Sequence, residues 1–158
     1  MAMVTLKELA ARLARTPELL DANVTLAVKT SARKVRDTAT KKFGHYQPEV
    51  GEFPAWKKLK PATIRRKAAA GGGEDPLIGH YKVKDRNRIW PAPLRTTVEL
   101  KQDGWTAEVG TADPVGKYHE FGTETIPPRP FLRPALFEES DGIQKEIAGA
   151  VLATVREM

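Results

Sequence analysis

A chain of 158 residues, 41% apolar and 29% charged, suits one folded domain that buries roughly two-thirds of its unfolded surface. Membrane helices are excluded because no apolar run nears the ~20 residues such a span needs, and the absence of cysteine excludes disulfides and thiolate metal sites. The formal net charge is +6, from 26 basic and 20 acidic side chains, and the two signs are unevenly placed.

The opening residues, Met1 to Glu8, lack the basic start and long apolar stretch of a secretion signal, so the chain is expected to be made in a cytosol. Thr5 and Glu8 read as a capping box, after which Leu6, Leu9, Ala10 and Leu13 recur at helical spacing. Thr16-Pro17 reads as a restart, with threonine as N-cap and proline at the first helical position. Leu20, Val24, Val28, Ala32, Val35, Ala39 and Phe43 then hold one face of a long amphipathic helix, for which Gly44 is the expected C-cap.

An extended central loop is expected over about residues 45–93, where prolines stand at 48, 54, 61, 76, 91 and 93 around Gly71-Gly72-Gly73. Connections of this length are functional or disordered more often than not. Pro61 to Ala70 contains no breaker and predicts a short helix. The triple glycine predicts a flexible hinge and not a phosphate loop, since no Gly-Lys-Ser/Thr follows. From Pro54 to Lys67 six basic residues (Lys57, Lys58, Lys60, Arg65, Arg66 and Lys67) stand without an acid. Trp56, Trp90 and Trp105 read as packing anchors in preference to a stacking platform for single-stranded nucleic acid.

Thr97 to Lys101 and Trp105 to Val109 alternate about a Gln102-Asp103-Gly104 turn, which predicts a β-hairpin. A short polar link leads to Tyr118-His119-Glu120-Phe121-Gly122-Thr123 and the cluster Ile126-Pro127-Pro128-Arg129-Pro130. Leu132, Leu136, Ile143, Ile147, Val151 and Val155 mark the apolar face of a closing helix with Pro134 in its first turn. From Phe137 onward Glu138, Glu139, Asp141, Glu146 and Glu157 outweigh Lys145 and Arg156. The expected class is α+β: a single domain, 1–158, whose long N- and C-terminal helices pack on a small antiparallel sheet beside a long central loop or hairpin.

Catalytic signatures are missing. His45, His80 and His119 are scattered, and His119-Glu120, the only histidine–carboxylate neighbours, point apart on any regular element. There is no His-Glu-x-x-His, Gly-x-Ser-x-Gly or dinucleotide fingerprint, and neither Ser31 nor Ser140 lies in a nucleophile context. No catalytic residue, cofactor or metal is therefore expected, and the chain reads as a non-enzyme.

Two stretches resemble a known group. Trp56-Lys57-Lys58-Leu59-Lys60-Pro61-Ala62-Thr63, then Lys67 and Pro76-Leu77-Ile78-Gly79, is similar to a segment of phage virion-morphogenesis and tail-completion proteins. Gly110-Thr111, Tyr118 to Thr123 and Ile126-Pro127-Pro128-Arg129-Pro130-Phe131-Leu132-Arg133-Pro134-Ala135 resemble the signature of the siphophage head–tail joining and tail-component family. Where that group often has Thr-Gly-x-Leu, this chain reads Ile78-Gly79-His80-Tyr81.

The resemblance implies a structural virion protein, assembled in the bacterial host cytoplasm, that forms a six-fold homo-oligomeric ring at the head–tail junction. Its neighbours would be the head connector and tail tube proteins, with no membrane partner. Trp56, Tyr118, Glu120, Phe121, Arg129, Phe131 and Arg133 are the expected subunit or partner contacts. Three prolines around Arg129 stiffen that segment, which suits an internal brace and an intersubunit contact equally. The basic segment and the acidic closing helix are candidate complementary patches for a heterologous ring contact. Lys57, Lys58, Lys60, Arg65, Arg66 and Lys67 would alternatively face phage DNA in the lumen through sequence-independent contacts. The rival from another class is a nucleic-acid-binding protein that uses the basic 54–67 segment.

Overall fold

A computed structural model of the chain describes residues 6–83, 86–90, 94–101 and 104–157. The elements run α1 (Leu6–Lys41), α2 (Pro61–Ala69), β1 (Gly79–Val83), β2 (Arg86–Trp90), β3 (Arg95–Lys101), β4 (Gly104–Gly110), α3 (Pro114–Phe121) and α4 (Leu132–Arg156). The class is α+β, with long helices near both ends and two-stranded sheets β1–β2 and β3–β4.

Helix α1 is continuous, which corrects the expected restart at Thr16-Pro17: Pro17 lies inside the helix. Proline cannot donate an N–H within a helix, and Thr16, instead of capping, turns its hydroxyl back to the Arg12 carbonyl at 3.1 Å. The helix ends at Lys41 and not at Phe43; Gly44 follows a short turn, where its φ of 84° is readily adopted only by glycine. The capping box at Thr5 falls outside the described residues. The predicted helix over 61–70 is α2, with Pro61 in its first turn. The central segment is not an unbroken loop, since β1 and β2 pair in antiparallel register from Gly79↔Trp90 to Val83↔Arg86.

Two compact units divide the chain. One gathers Met1–Arg33, Thr96–Glu108 and Glu139–Met158. There α1 buries Val24, Ala27, Ser31 and Ala32, a stripe at helical spacing. The buried Thr154 of α4 accepts from Asn23 Nδ2 at 3.0 Å and donates to the Ala150 carbonyl at 3.1 Å. Strands β3 and β4 pair as a two-stranded sheet at the place of the predicted hairpin, whose turn residues Gln102 and Asp103 fall outside the described residues. Trp105 on β4 donates its indole N–H to Asp21 at 3.1 Å, an anchor as expected. The apolar faces predicted at the two ends are largely exposed: Leu6, Leu13, Val151 and Val155 all face solvent.

The other unit holds Lys34–Arg95 and Val109–Glu138. Its core is built from Val35, Ala39, Phe43, Phe53, Trp56, Leu77, Phe131 and Ala135. The Phe43 and Phe131 rings meet at 5.0 Å in a tilted pair, a favoured aromatic geometry. Leu136, predicted on the buried face of α4, is exposed, and Ala135 takes the inward position.

Candidate functional site

The link before the proline cluster is not irregular: it contains α3, whose start is capped by Asp113 accepting from the Val115 N–H at 3.0 Å. Glu120, one residue before the end of α3, is 4% exposed. Its carboxylate accepts the backbone N–H groups of Phe131 (2.8 Å), Leu132 (3.0 Å) and Arg133 (3.0 Å), and the Arg133 Nε–H at 3.1 Å. Helix α4 has no acid in its own first turn. The unbonded N–H groups that open any α-helix, and the positive end of its dipole, are thus met by a carboxylate from another helix. Arg133 also donates to the Glu120 carbonyl at 3.0 Å and stacks its guanidinium 4.8 Å above the exposed Phe121 ring.

Between these helices the chain turns at Gly122, with φ of 76° and an N–H that donates to the Tyr118 carbonyl at 2.9 Å. A Cβ there would stand 2.9 Å from both the Ile126 carbonyl oxygen and the Pro128 nitrogen, so only glycine fits. Thr123 closes the turn by accepting from the Ile126 N–H at 3.0 Å. Arg129, 4% exposed, donates through Nε and Nη2 to the Lys57 carbonyl at 3.3 and 2.9 Å, and Trp56 donates its indole N–H to the Pro130 carbonyl at 3.1 Å. The two family-like stretches, some 70 residues apart in sequence, are therefore bonded to each other by two side chains.

These placements sort the expected contact residues. Trp56, Glu120, Arg129 and Phe131 are buried by the chain itself and form an internal brace. Tyr118, 48% exposed, and Phe121, 61% exposed, face outward beside the half-exposed Arg133 side chain. The Trp90 side chain lies outside the described part of the structure. His119 and Glu120 share no site, because the Glu120 carboxylate turns to α4 while His119 faces a groove.

That groove, of about 700 Å³, lies against the brace. Leu59, Leu77, Ile78, Val115, Ile126 and Pro127 give it largely apolar walls, with Tyr118 and His119 beside them. Lys57, Lys58, Lys60, Arg66, Lys67 and Arg129 also line it, and among the described residues no carboxylate does. Five of the six basic residues singled out in the sequence thus converge on one cavity, while Arg65 does not line it. Leu77 holds a left-handed backbone conformation, φ 59°, unusual for a branched residue and of the kind found at ligand clamps. Burial holds the His119 imidazole down at about 4, with Arg129 adding to the effect, so it is neutral at pH 7. Burial likewise draws the Lys67 ammonium below the usual lysine value; Asp75 opposes the shift and Arg129 adds to it.

Sequence reasoning missed the contributions of Leu77, Ile78, Val115, His119 and Ile126 to this cavity. The only available signal was that Pro76-Leu77-Ile78-Gly79 and Ile126-Pro127 sit inside the two family-like stretches. The acidic face expected on the closing helix is partly neutralised within the chain, since Glu138 pairs with the buried Lys42 at 2.6 Å. Among the described residues no group of three or more histidines and carboxylates is arranged to hold a metal.

Comparisons of this chain with protein-family models, curated proteins and solved structures return no match.

Proposed function

We propose that the protein is a structural virion component of a tailed phage, assembling into a ring at the head–tail interface and acting through shape and adhesion without catalysis. The observation that carries this reading is the pairing of the two family-like stretches through Trp56–Pro130 and Arg129–Lys57. Residues that resemble the tail-completion signature converge on one rigid element, the capped start of α4, and leave Tyr118, Phe121 and Arg133 outward as candidate contacts. A brace that orders its own exposed neighbours suits a protein that works by docking, because less conformational freedom is lost on association. A ring requires different patches on the two sides of each subunit. Native mass spectrometry with negative-stain imaging tests the reading: a discrete ring with a central hole supports it. A strict monomer that is also absent from purified virions refutes it.

The six cations that line the groove favour a second reading, a nucleic-acid-binding module. Charge reversal at Lys57, Lys58, Arg65 and Arg66 separates the two. Loss of assembly with no DNA-binding defect removes the nucleic-acid reading.

A further inference from the structure

The groove is a cavity whose chemistry selects a class of partner. Its two properties have to be satisfied together: among the described residues six cations and no carboxylate line it, with Asp75 acting on Lys67 from nearby, and its walls are chiefly apolar. Desolvating cations is costly, so the occupant has to carry negative charge. Apolar walls return free energy only when covered by apolar groups, so the occupant also has to carry those. A phosphodiester strand meets the first requirement, and its bases meet the second chiefly by stacking on exposed rings. Strands without sequence preference are held by cations together with exposed rings on which bases stack. Here Trp56 is buried with its N–H on Pro130, and the ring side chains beside the cations are Tyr118 and the largely enclosed His119.

We infer that the groove is a docking site for a segment of a partner protein in which acidic side chains alternate with aliphatic ones. The aliphatic groups lie against Leu77, Ile78 and Ile126, and the carboxylates meet Lys58, Lys60 and Arg66 at the rim. Leu77 and Arg129 both line the groove, and Arg129 is bonded to the carbonyl of Lys57 in the same lining. That bond holds part of the lining in place, which lowers the ordering cost of binding. This inference deepens the assembly reading, on which it rests, by naming the chemistry of one partner.

The test is fluorescence anisotropy on the full chain with three probes of matched length. They are a labelled peptide alternating glutamate with leucine, the same peptide with every leucine replaced by serine, and an oligothymidine. The alternating peptide binds, weakens as salt is raised, and outcompetes both other probes by at least about tenfold. Lys58→Glu with Arg66→Glu weakens it about tenfold, as two reversed rim charges should. Tyr118→Ala, which changes no charge, weakens it as well, and thermal melts confirm that both variants fold. Equal binding of the serine peptide, tighter binding of oligothymidine, or no binding of any probe overturns the inference. A ring in the mass spectrometer without peptide binding sinks the groove alone; peptide binding by a protein absent from virions sinks the assembly reading alone.

Discussion

Removing the Glu120 carboxylate should destabilise the protein severely, although the residue lies in a short helix and bears no catalytic mark. In Glu120→Ala the N–H groups of Phe131, Leu132 and Arg133 lose their acceptor together, and α4 has no acid in its first turn to replace it. Loss of a helix cap costs about 0.5–2 kcal/mol, and the buried Phe131 N–H left unsatisfied adds about 1–3 kcal/mol. The Arg133 ion pair adds less than about 1 kcal/mol, because the guanidinium side is half exposed. Together these give a loss of about 2–6 kcal/mol, a large share of the roughly 5–15 kcal/mol that folds a typical domain. At this chain length that lowers Tm by roughly 10 °C. Glu120→Gln keeps one carbonyl acceptor but turns an amide N–H toward donors, so about half the loss is expected. Urea unfolding followed by circular dichroism reads both variants. A Glu120→Ala protein within about 1 kcal/mol of the parent, at unchanged m-value, would refute the capping account.

Gly122→Ala should cost about 2 kcal/mol or more, since the new Cβ meets backbone atoms of Ile126 and Pro128 and the φ of 76° disfavours it independently; a Tm within 2 °C (about) of the parent would contradict this. Ser31→Ala should be neutral or stabilise by about 1 kcal/mol, because the buried Ser31 hydroxyl finds no hydrogen-bond partner among the described residues; a clear loss in a thermal melt would reveal a bond the structure does not contain. His119 is held at about 4 in the fold against about 6.5 in an unfolded chain, so between those pH values the unfolded state binds the extra proton. Stability present above about pH 6.5 is therefore lost as pH falls toward 4, by up to about 3 kcal/mol. His119→Gln should flatten that part of the urea-derived stability profile, and an unchanged slope in the variant would refute the burial of a neutral imidazole.

The long helices were legible because their signal is local. Val24, Ala32, Val35 and Ala39 repeat at helical spacing and are buried, and the alternation from Thr97 to Lys101 and from Trp105 to Val109 announced strands β3 and β4. What periodicity could not convey was whether a marked face is covered. Leu6, Leu13, Val151 and Val155 satisfy the same pattern yet face solvent, because burial depends on a partner element that spacing does not specify. Pro17 misled for a related reason: threonine–proline is an N-terminal signal, but a helix carried by tertiary packing tolerates the missing N–H. The β1–β2 pair was anticipated only as a central loop or hairpin without strand bounds, because charge and proline dominate the local composition from residue 79 to 93.

The site was legible as residue types and not as roles. The family resemblance placed Arg129 and Glu120 among the contact residues, with an internal brace an equal reading for the Arg129 segment, and the burial of such long ionisable side chains depends on partners that spacing does not show. The partners exist, but they are backbone groups far along the chain: the Lys57 carbonyl for Arg129 and the opening N–H groups of α4 for Glu120. A backbone atom carries no residue identity, so its half of such a bond leaves no trace in the sequence. The same blindness concealed the groove. A basic run of six residues looks like a solvated face, and only the arrival of Val115, Tyr118 and Ile126 from another part of the chain turns it into a wall. Conversely, Glu138 in the acidic end is already paired with Lys42 inside the chain. The groove lining carries six cations, of which Lys67 feels the Asp75 carboxylate, while part of the acidic end is spent internally. That imbalance directs the search for the groove's occupant to acidic segments of other proteins in preference to the closing helix of a second copy.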